Sequence, residues 1–335
     1  MPSDPLGAGA PGAARRAAVL DPAVLAWLGR VLPGERVAAT APLGGGYGNE
    51  NILVATDRGR YVLRRYRRSR GPDATRTCAV EAALAARLTA RAVPVAEVIA
   101  ADPAGSAAAE PMLLARRVPG VLVSQALTDR RSAARELGDA AGRALAAIGS
   151  VAFDRGGVFT GPDLVPSAAG LPPALPEFVE SCLRAGPAAT ALSPAELGRL
   201  RALAAAAAPL AASAAAARQL VHSDYNGKNL LAASRRGRWS VSAVLDWEFA
   251  FSGSPLTDIG NMLRFRDEQP PGFGDGFIGG YQDAGGPLPP DWREVSEALD
   301  LYALADLLTR PPGHRYFGRA VSAVRKRLAR DAGSR

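Results

Sequence analysis

Two short segments restrict this chain more than its length does. Val221-His222-Ser223-Asp224-Tyr225-Asn226-Gly227-Lys228-Asn229-Leu230-Leu231 reads as a short apolar strand, a polar loop of the form H-x-D-x-x-x-x-N, and a second short strand. Val244-Leu245-Asp246-Trp247-Glu248 ends a third apolar strand on another carboxylate. Phosphoryl transfer needs this inventory: an acceptor for the proton of the attacking hydroxyl, and hard oxygen ligands for a Mg²⁺ that bridges the β- and γ-phosphates. On that reading Asp224 is the base, and Asn229 and Asp246 are the metal ligands. Asp and Asn are also ordinary turn formers, and a lone H-x-D-x-x-x-x-N arises by chance. The downstream Asp, in the right order, makes the pattern specific.

The upstream region supplies strands. Asp21-Pro22 opens a helix, with Asp as N-cap, Pro at the first helical position, and Leu25, Trp27, Leu28, Val31 and Leu32 as its buried stripe. A glycine cluster, Gly44-Gly45-Gly46-Tyr47-Gly48, leads into a hairpin of strands 51–56 and 61–66 around the turn Asp57-Arg58-Gly59. A helix follows over 73–91, in which Glu81 falls in line with the apolar Leu84, Ala85 and Leu88, so this carboxylate needs a partner. Strands at 95–100 and 112–116 precede the break Val118-Pro119-Gly120. Beyond it the pattern is helical, at 131–148, 176–184, 194–217, 255–264, 292–308 and 315–330, with a strand interlude at 219–232 and 241–246. The alanine runs at 204–208 and 214–217 are good helix formers and nothing more.

Charge narrows the classes further. A net charge of +8 invites a polyanion reading, but 222–310 carries 13 acidic and 8 basic residues, so the excess cation lies elsewhere. The densest basic run, Arg58 to Arg70, straddles a strand pattern, unlike a free basic tail, which speaks against nucleic acid. No stretch has the ~18 apolar residues of a membrane span, and the first 18 residues match no secretory signal. Cys78 and Cys182 encode neither a disulfide framework nor a zinc site, which suits a reducing, cytoplasmic setting. Of the 40 basic residues only Lys228 and Lys326 are lysine.

From about Val37 to Leu308, and most strongly at HSDYNGKN and LDWEFAFSGSPLTDIG, the chain resembles the aminoglycoside phosphotransferase/choline kinase/homoserine kinase family. The resemblance implies an α+β, bilobal protein-kinase-like fold: a disordered arm at 1–18, an N-terminal nucleotide-binding lobe at 19–117 made of an antiparallel sheet with a helix, and a mainly helical catalytic and substrate-binding lobe at 118–335. It implies that His222 braces the catalytic loop and that Asp258 anchors it through backbone amides. Gly45, Gly46, Gly48 and Asn49 would cover the phosphates of ATP or GTP. The glycines fit neither a Walker loop nor a dinucleotide fingerprint. Tyr61-Val62-Leu63-Arg64 occupies the slot of the phosphate-gripping cation, so Arg64 takes phosphate and pairs with Glu81, while strand alternation turns its rival, Arg65, to the opposite face. Backbone groups at Arg116 and Val118 would hold adenine.

The implied activity is transfer of the γ-phosphoryl group to a hydroxyl of a small molecule by a monomer or weak homodimer, with Mg²⁺ and without nucleic-acid or membrane partners. The acceptor would be an aminoglycoside-like or other antibiotic, inactivated by phosphorylation; a homoserine- or choline-like metabolite and a catalytically silent nucleotide-binding module are the alternatives. A protein kinase is disfavoured, since no A-P-E segment follows Asp246. Asp267, Glu268, Asp275 and Asp283, between Phe265 and Trp292, are the candidates for gripping a cationic acceptor. Lys228 either approaches the γ-phosphate or faces solvent, Glu248 supports the metal-site loop, and His314 carries no role.

Overall fold

The computed structural model describes residues 18–44, 49–67 and 72–333. The chain divides into two compact units. The first comprises residues up to Gly120 together with Phe159–Val165 and Ser242–Glu248; the second holds the rest.

In the first unit α1 (Pro22–Val31) precedes β1 (Val37–Leu43), β2 (Glu50–Thr56) and β3 (Arg60–Arg65), then come α2 (Pro72–Thr89), β4 (Val98–Asp102) and β5 (Met112–Arg116). The five strands form one antiparallel sheet in the order β1-β2-β3-β5-β4. Alternation along the strands explains its two faces. Ile52, Val54, Tyr61, Leu63, Met112 and Leu114 pack on Val24, Trp27 and Leu28 of α1. Tyr66, Leu113 and Ala115 pack on Ala74 and Cys78 of α2. Val24 fills the place expected of Leu25, which is exposed, because the stripe that meets the sheet runs through 24, 27 and 28. Asp21 is the N-cap but its side chain caps no amide; the carboxylate goes to Arg65 at 3.1 Å instead.

Ser242–Glu248 belongs to this first unit although it lies far along the chain. Val244 forms a parallel bridge with Val95, and its N–H donates to the Pro94 carbonyl at 2.8 Å. The expected strand at 95–100 is therefore split: Val95 serves this bridge, and sheet pairing begins at Val98.

The second unit is mainly helical: α3 (Val123–Asp129), α4 (Ala134–Gly149), α5 (Leu175–Ala185), α6 (Pro194–Ser213), α7 (Leu256–Leu263), α8 (Phe273–Asp283), α9 (Trp292–Leu307) and α10 (Arg315–Gly333). The remaining strands of the chain are short: β6 (Val121–Leu122), β7 (Gly157–Phe159, its last residue in the first unit), β8 (Pro166–Ser167), β9 (Gln219–Val221), β10 (Leu230–Arg235), β11 (Arg238–Val244, its residues from Ser242 on in the first unit) and β12 (Phe251–Gly253). β9 pairs with β12 and β10 with β6, and this sets out the loop between β9 and β10. A core of α5, α6, α9 and α10 buries Val179, Leu200, Leu301, Leu304 and Val324.

The segment 265–292, where the sequence pattern predicts no helix, contains α8. Its glycines pack rather than bend: a Cβ at Gly276 or Gly280 would overlap a backbone carbonyl of α4, and one at Gly138 or Gly142 a carbonyl of α8. Glycines four apart on both helices let the two backbones meet, and that packing outweighs the poor helix propensity of glycine.

Candidate active site

The loop of the second unit is held from below. Asp258, in the first turn of α7 and fully buried, accepts the His222 N–H at 2.7 Å on one oxygen and the Ser223 N–H at 2.8 Å on the other. One turn on, Asn261 donates its amide to the Ser223 carbonyl at 2.9 Å. These three bonds fix Ser223 in a left-handed conformation, φ 71°, that a side-chain-bearing residue rarely adopts. Burial pushes the Asp258 carboxyl up to about 6, against the pull of His222 and the two amides. His222 is fully buried, and its Nδ1 lies 3.2 Å from the Asp224 N–H that donates to it. Tyr225, also buried, donates its hydroxyl to the Ala141 carbonyl at 2.7 Å and ties the loop to α4.

Asp224 projects from this frame between two amides. Asn226 Nδ2 donates to its Oδ1 at 2.9 Å and Asn229 Nδ2 to its Oδ2 at 2.8 Å. With its NH₂ spent on Asp224, Asn229 turns Oδ1 away, and that oxygen accepts no hydrogen bond among the described residues. An ionised carboxylate steadied on both oxygens, beside an unused amide oxygen, suits a proton acceptor next to a hard cation. Lys228 is held on α10, where its Nζ bonds the Tyr316 hydroxyl and lies 4.3 Å from the ring centroid.

In the first unit three carboxylates converge on one guanidinium. Arg64 lies on the α2 face of β3, with Nε 3.3 Å from Glu81 and NH2 2.6 Å from Asp246 and 3.5 Å from Glu248. Arg65, one residue on, points to the α1 face and meets Asp21, Glu50 and Glu110. Glu81 is buried and also accepts the Tyr66 hydroxyl. Burial raises its pKa and Arg64 pulls it back. Burial alone would loosen the Arg64 proton, but Glu81 and Asp246 hold it more tightly than usual. Asp246 is left-handed at φ 69°, and Asn49 donates to Glu248 at 2.9 Å. Three carboxylates against one cation leave an excess of negative charge on hard oxygen donors, which fits a divalent ion. Among the described residues no three His, Cys, Asp or Glu side chains form a complete metal cage. Mg²⁺ does not need one, since it keeps waters and takes phosphate oxygens.

Other expected residues fall differently. Gly45, Gly46 and Gly48 lie outside the described residues. The Arg116 N–H donates to the Glu97 carbonyl at 2.8 Å and its side chain to the Glu97 carboxylate at 2.7 Å, so sheet pairing closes this amide to a base. Val118 lies past the strand end, where no such pairing is made. The acidic candidates do not form a cradle: Asp267 pairs with Lys326 at 3.0 Å, Glu268 with Arg319 at 2.7 Å and Asp283 with Arg143 at 3.4 Å, while Asp275 is exposed on α8. Asn261 and Tyr316 were not anticipated. Asn261 stands three residues after Asp258 on one helix face, a legible spacing, whereas only tertiary structure brings Tyr316 to Lys228.

A mixed fold with an antiparallel N-terminal sheet and a helical C-terminal part, carrying these residues, defines the kinase-like phosphotransferases. The sequence profile of the phosphotransferase enzyme family matches residues 39–298. The chain belongs to this family and is a phosphotransferase. Among solved structures it is similar to a candidate aminoglycoside phosphotransferase of Ralstonia eutropha JMP134, at 19% identity and TM-score 0.65, covering 91% of this chain and 95% of that one. It is also similar to aminoglycoside phosphotransferase APH(4)-Ia, at 17% identity and TM-score 0.65 over 92% and 98% of the two chains. A thermostable mutant of the latter, in ternary complex with ADP and hygromycin B, gives 17%, 0.66, 92% and 98%. At these identities the likeness is one of fold. None of the curated proteins matches the chain.

Proposed function

We propose that the chain transfers the γ-phosphoryl group of ATP or GTP to a hydroxyl of a small molecule. The observation that carries this reading is the Asp224 carboxylate, bracketed by Asn226 and Asn229 on a loop pinned by the buried Asp258. Asp224 takes or orients the hydroxyl proton, and the pinned loop keeps it in place without reorganisation during the reaction. Arg64, steered by Glu81, grips the donor phosphates as a two-pronged cation. Asn229 through Oδ1 and Asp246 through its carboxylate would be the ligands of Mg²⁺, which would offset phosphate charge. Val118 and the backbone carbonyl of Arg116 are the candidates for the adenine contact, and Asn49 is that for the mouth of the phosphate loop.

Nucleotide use agrees with solved neighbours that hold ADP, AMP-PNP or GDP. No helix among the described residues is long and apolar enough to cross a membrane, and both cysteines are free and buried, which supports a cytoplasmic enzyme. The test is nucleoside diphosphate release across a panel of hydroxyl acceptors. Asp224→Ala is expected to lose at least 100-fold in turnover with nucleotide binding retained, the scale of a lost proton acceptor. Asp246→Ala is expected to lose Mg²⁺-dependent nucleotide binding. Near-normal turnover by the Asp224 variant overturns the reading.

A further inference from the structure

Within the second unit, α7, α9, α10 and the turn at Arg266–Glu268 border an open surface cleft. Its wall carries Arg264, Arg266, Arg293, Arg319, Lys326 and Arg327, joined at the rim by Arg330. Four carboxylates answer these seven cations. Asp267 is taken by Lys326, Glu268 by Arg319 and Glu297 by Arg330 at 3.7 Å. The fourth, Asp300, is fully buried and serves two guanidiniums, Arg264 at 2.7 Å and Arg327 at 3.4 Å. Arg266 and Arg293 have no carboxylate within 4 Å among the described residues; Arg293 rests on the Trp292 ring. The wall therefore carries seven cations against four carboxylates, an excess of three.

Two further observations make this a built site. Arg264 and Arg327 have side chains only 9% and 11% exposed and share one carboxylate, so their planes are fixed in the wall. Ser296, 3% exposed and lining the cleft, has a buried hydroxyl with no hydrogen-bond partner. Two chains of contacts link the cleft wall to the catalytic loop. Arg264 bonds Asn261, which bonds the carbonyl of Ser223, the residue before Asp224. Arg319 stacks 3.8 Å from the Phe265 ring and 5.7 Å from that of Tyr316, the partner of Lys228.

We propose that this cleft receives an oxyanion group, a carboxylate or a phosphate monoester, carried by the phosphoryl acceptor, so that the acceptor is an anionic hydroxyl compound and not a polycation. The inference rests on the phosphotransferase reading and names its substrate class. In the reaction, the bond from the β–γ bridging oxygen to the γ-phosphorus breaks as the acceptor oxygen bonds that phosphorus. The hydroxyl proton passes to Asp224 and the nucleoside diphosphate leaves. The oxyanion meets the guanidiniums in excess on the wall, whereas an ammonium group there faces like charge.

The experiment has two arms at constant ionic strength. In the first, diphosphate release from ATP and Mg²⁺ is measured with a hydroxy acid, a sugar phosphate, a matched neutral polyol, an aminoglycoside and an amino alcohol. One of the two anionic acceptors is expected to exceed the polyol at least tenfold in kcat/KM, and which one does so separates carboxylate from phosphate. Arg266→Ala/Arg293→Ala is expected to raise its KM at least tenfold, with a smaller change in kcat. A preference for the aminoglycoside or the amino alcohol overturns the proposal and leaves the phosphotransferase reading intact. Wild-type turnover by Asp224→Ala overturns that reading instead. In the second arm, protein saturated with ADP is titrated calorimetrically with citrate and with inorganic phosphate. At least one should bind, at least tenfold more weakly to the double variant; no binding, or equal binding by the variant, overturns the proposal whatever the activity.

Discussion

Asp258→Asn separates two effects of opposite sign. The carboxyl is pushed up to about 6 by burial, while in the unfolded chain it titrates near 4. Between those values the folded state holds the proton and the unfolded state releases it, so stability falls as pH rises through the window. A rise from near 4 to about 6 corresponds to about 3 kcal/mol of lost stability, absent below pH 4 and fully present above pH 7. Asparagine never ionises and escapes that cost. Its amide oxygen accepts only one of the His222 and Ser223 N–H groups, and the other then faces an NH₂, a loss of about 1–3 kcal/mol. At pH 4 the variant should therefore be less stable than the wild type by about 2 kcal/mol; at pH 8 it should match or slightly exceed it. Urea unfolding of both proteins at pH 4, 6 and 8 reads the swing, which in Tm amounts to about 6–12 °C for a unit of this size. Carboxylates common to both proteins cancel in the difference. A stability gap that is flat in pH, or that widens as pH rises, would refute the reasoning, because the two amides would then hold Asp258 at or below its ordinary value. Turnover should fall in the variant at every pH, since one loop amide is released.

Arg64→Lys should raise nucleotide KM about tenfold or more, because a point charge cannot replace a two-pronged donor, and Arg64→Ala should lower stability by about 3–5 kcal/mol by stranding buried Glu81; an unchanged melting curve for the alanine variant would count against that buried pair. Gly142→Ala, whose Cβ would meet a backbone carbonyl of α8, should lower stability by about 3 kcal/mol. Gly279→Ala, with nothing within 4 Å, should be neutral or raise stability by up to about 1 kcal/mol, and equal melting shifts in the two glycine variants would contradict the close packing of α4 on α8.

What could be read from sequence followed local rules. β3 alternates, so Arg64 and Arg65 had to face opposite sides of the sheet, and the register with β2 and β5 places them there. The loop between β9 and β10 lies between two short apolar strands, and its spacing brings Asn226 and Asn229 to Asp224. What escaped depended on partners distant in the chain. α8 reads as loop because its four glycines depress helix propensity, and only the matching glycines of α4 reveal their use. Asp267 and Glu268 read as free acids because Lys326 and Arg319 come from α10, more than fifty residues on. An ion pair across sequence leaves no periodic trace, whereas a strand face or a loop spacing does.

The scarcity of lysine acquires a physical meaning from these two charge clusters. Around Arg64 one cation meets three carboxylates, and around Asp300 one carboxylate meets two cations. Both centres are buried, and burial drives a cation toward its neutral form. A lysine in the place of Arg327, where burial already lowers the guanidinium's hold on its proton, would have far less margin before it lost its charge. Arginine keeps its charge in either setting, so each imbalance persists: an excess of carboxylate around Arg64 in one unit and an excess of guanidinium around Asp300 in the other. The two lysines occur instead on Tyr316 and on Asp267, where a flexible point charge suffices.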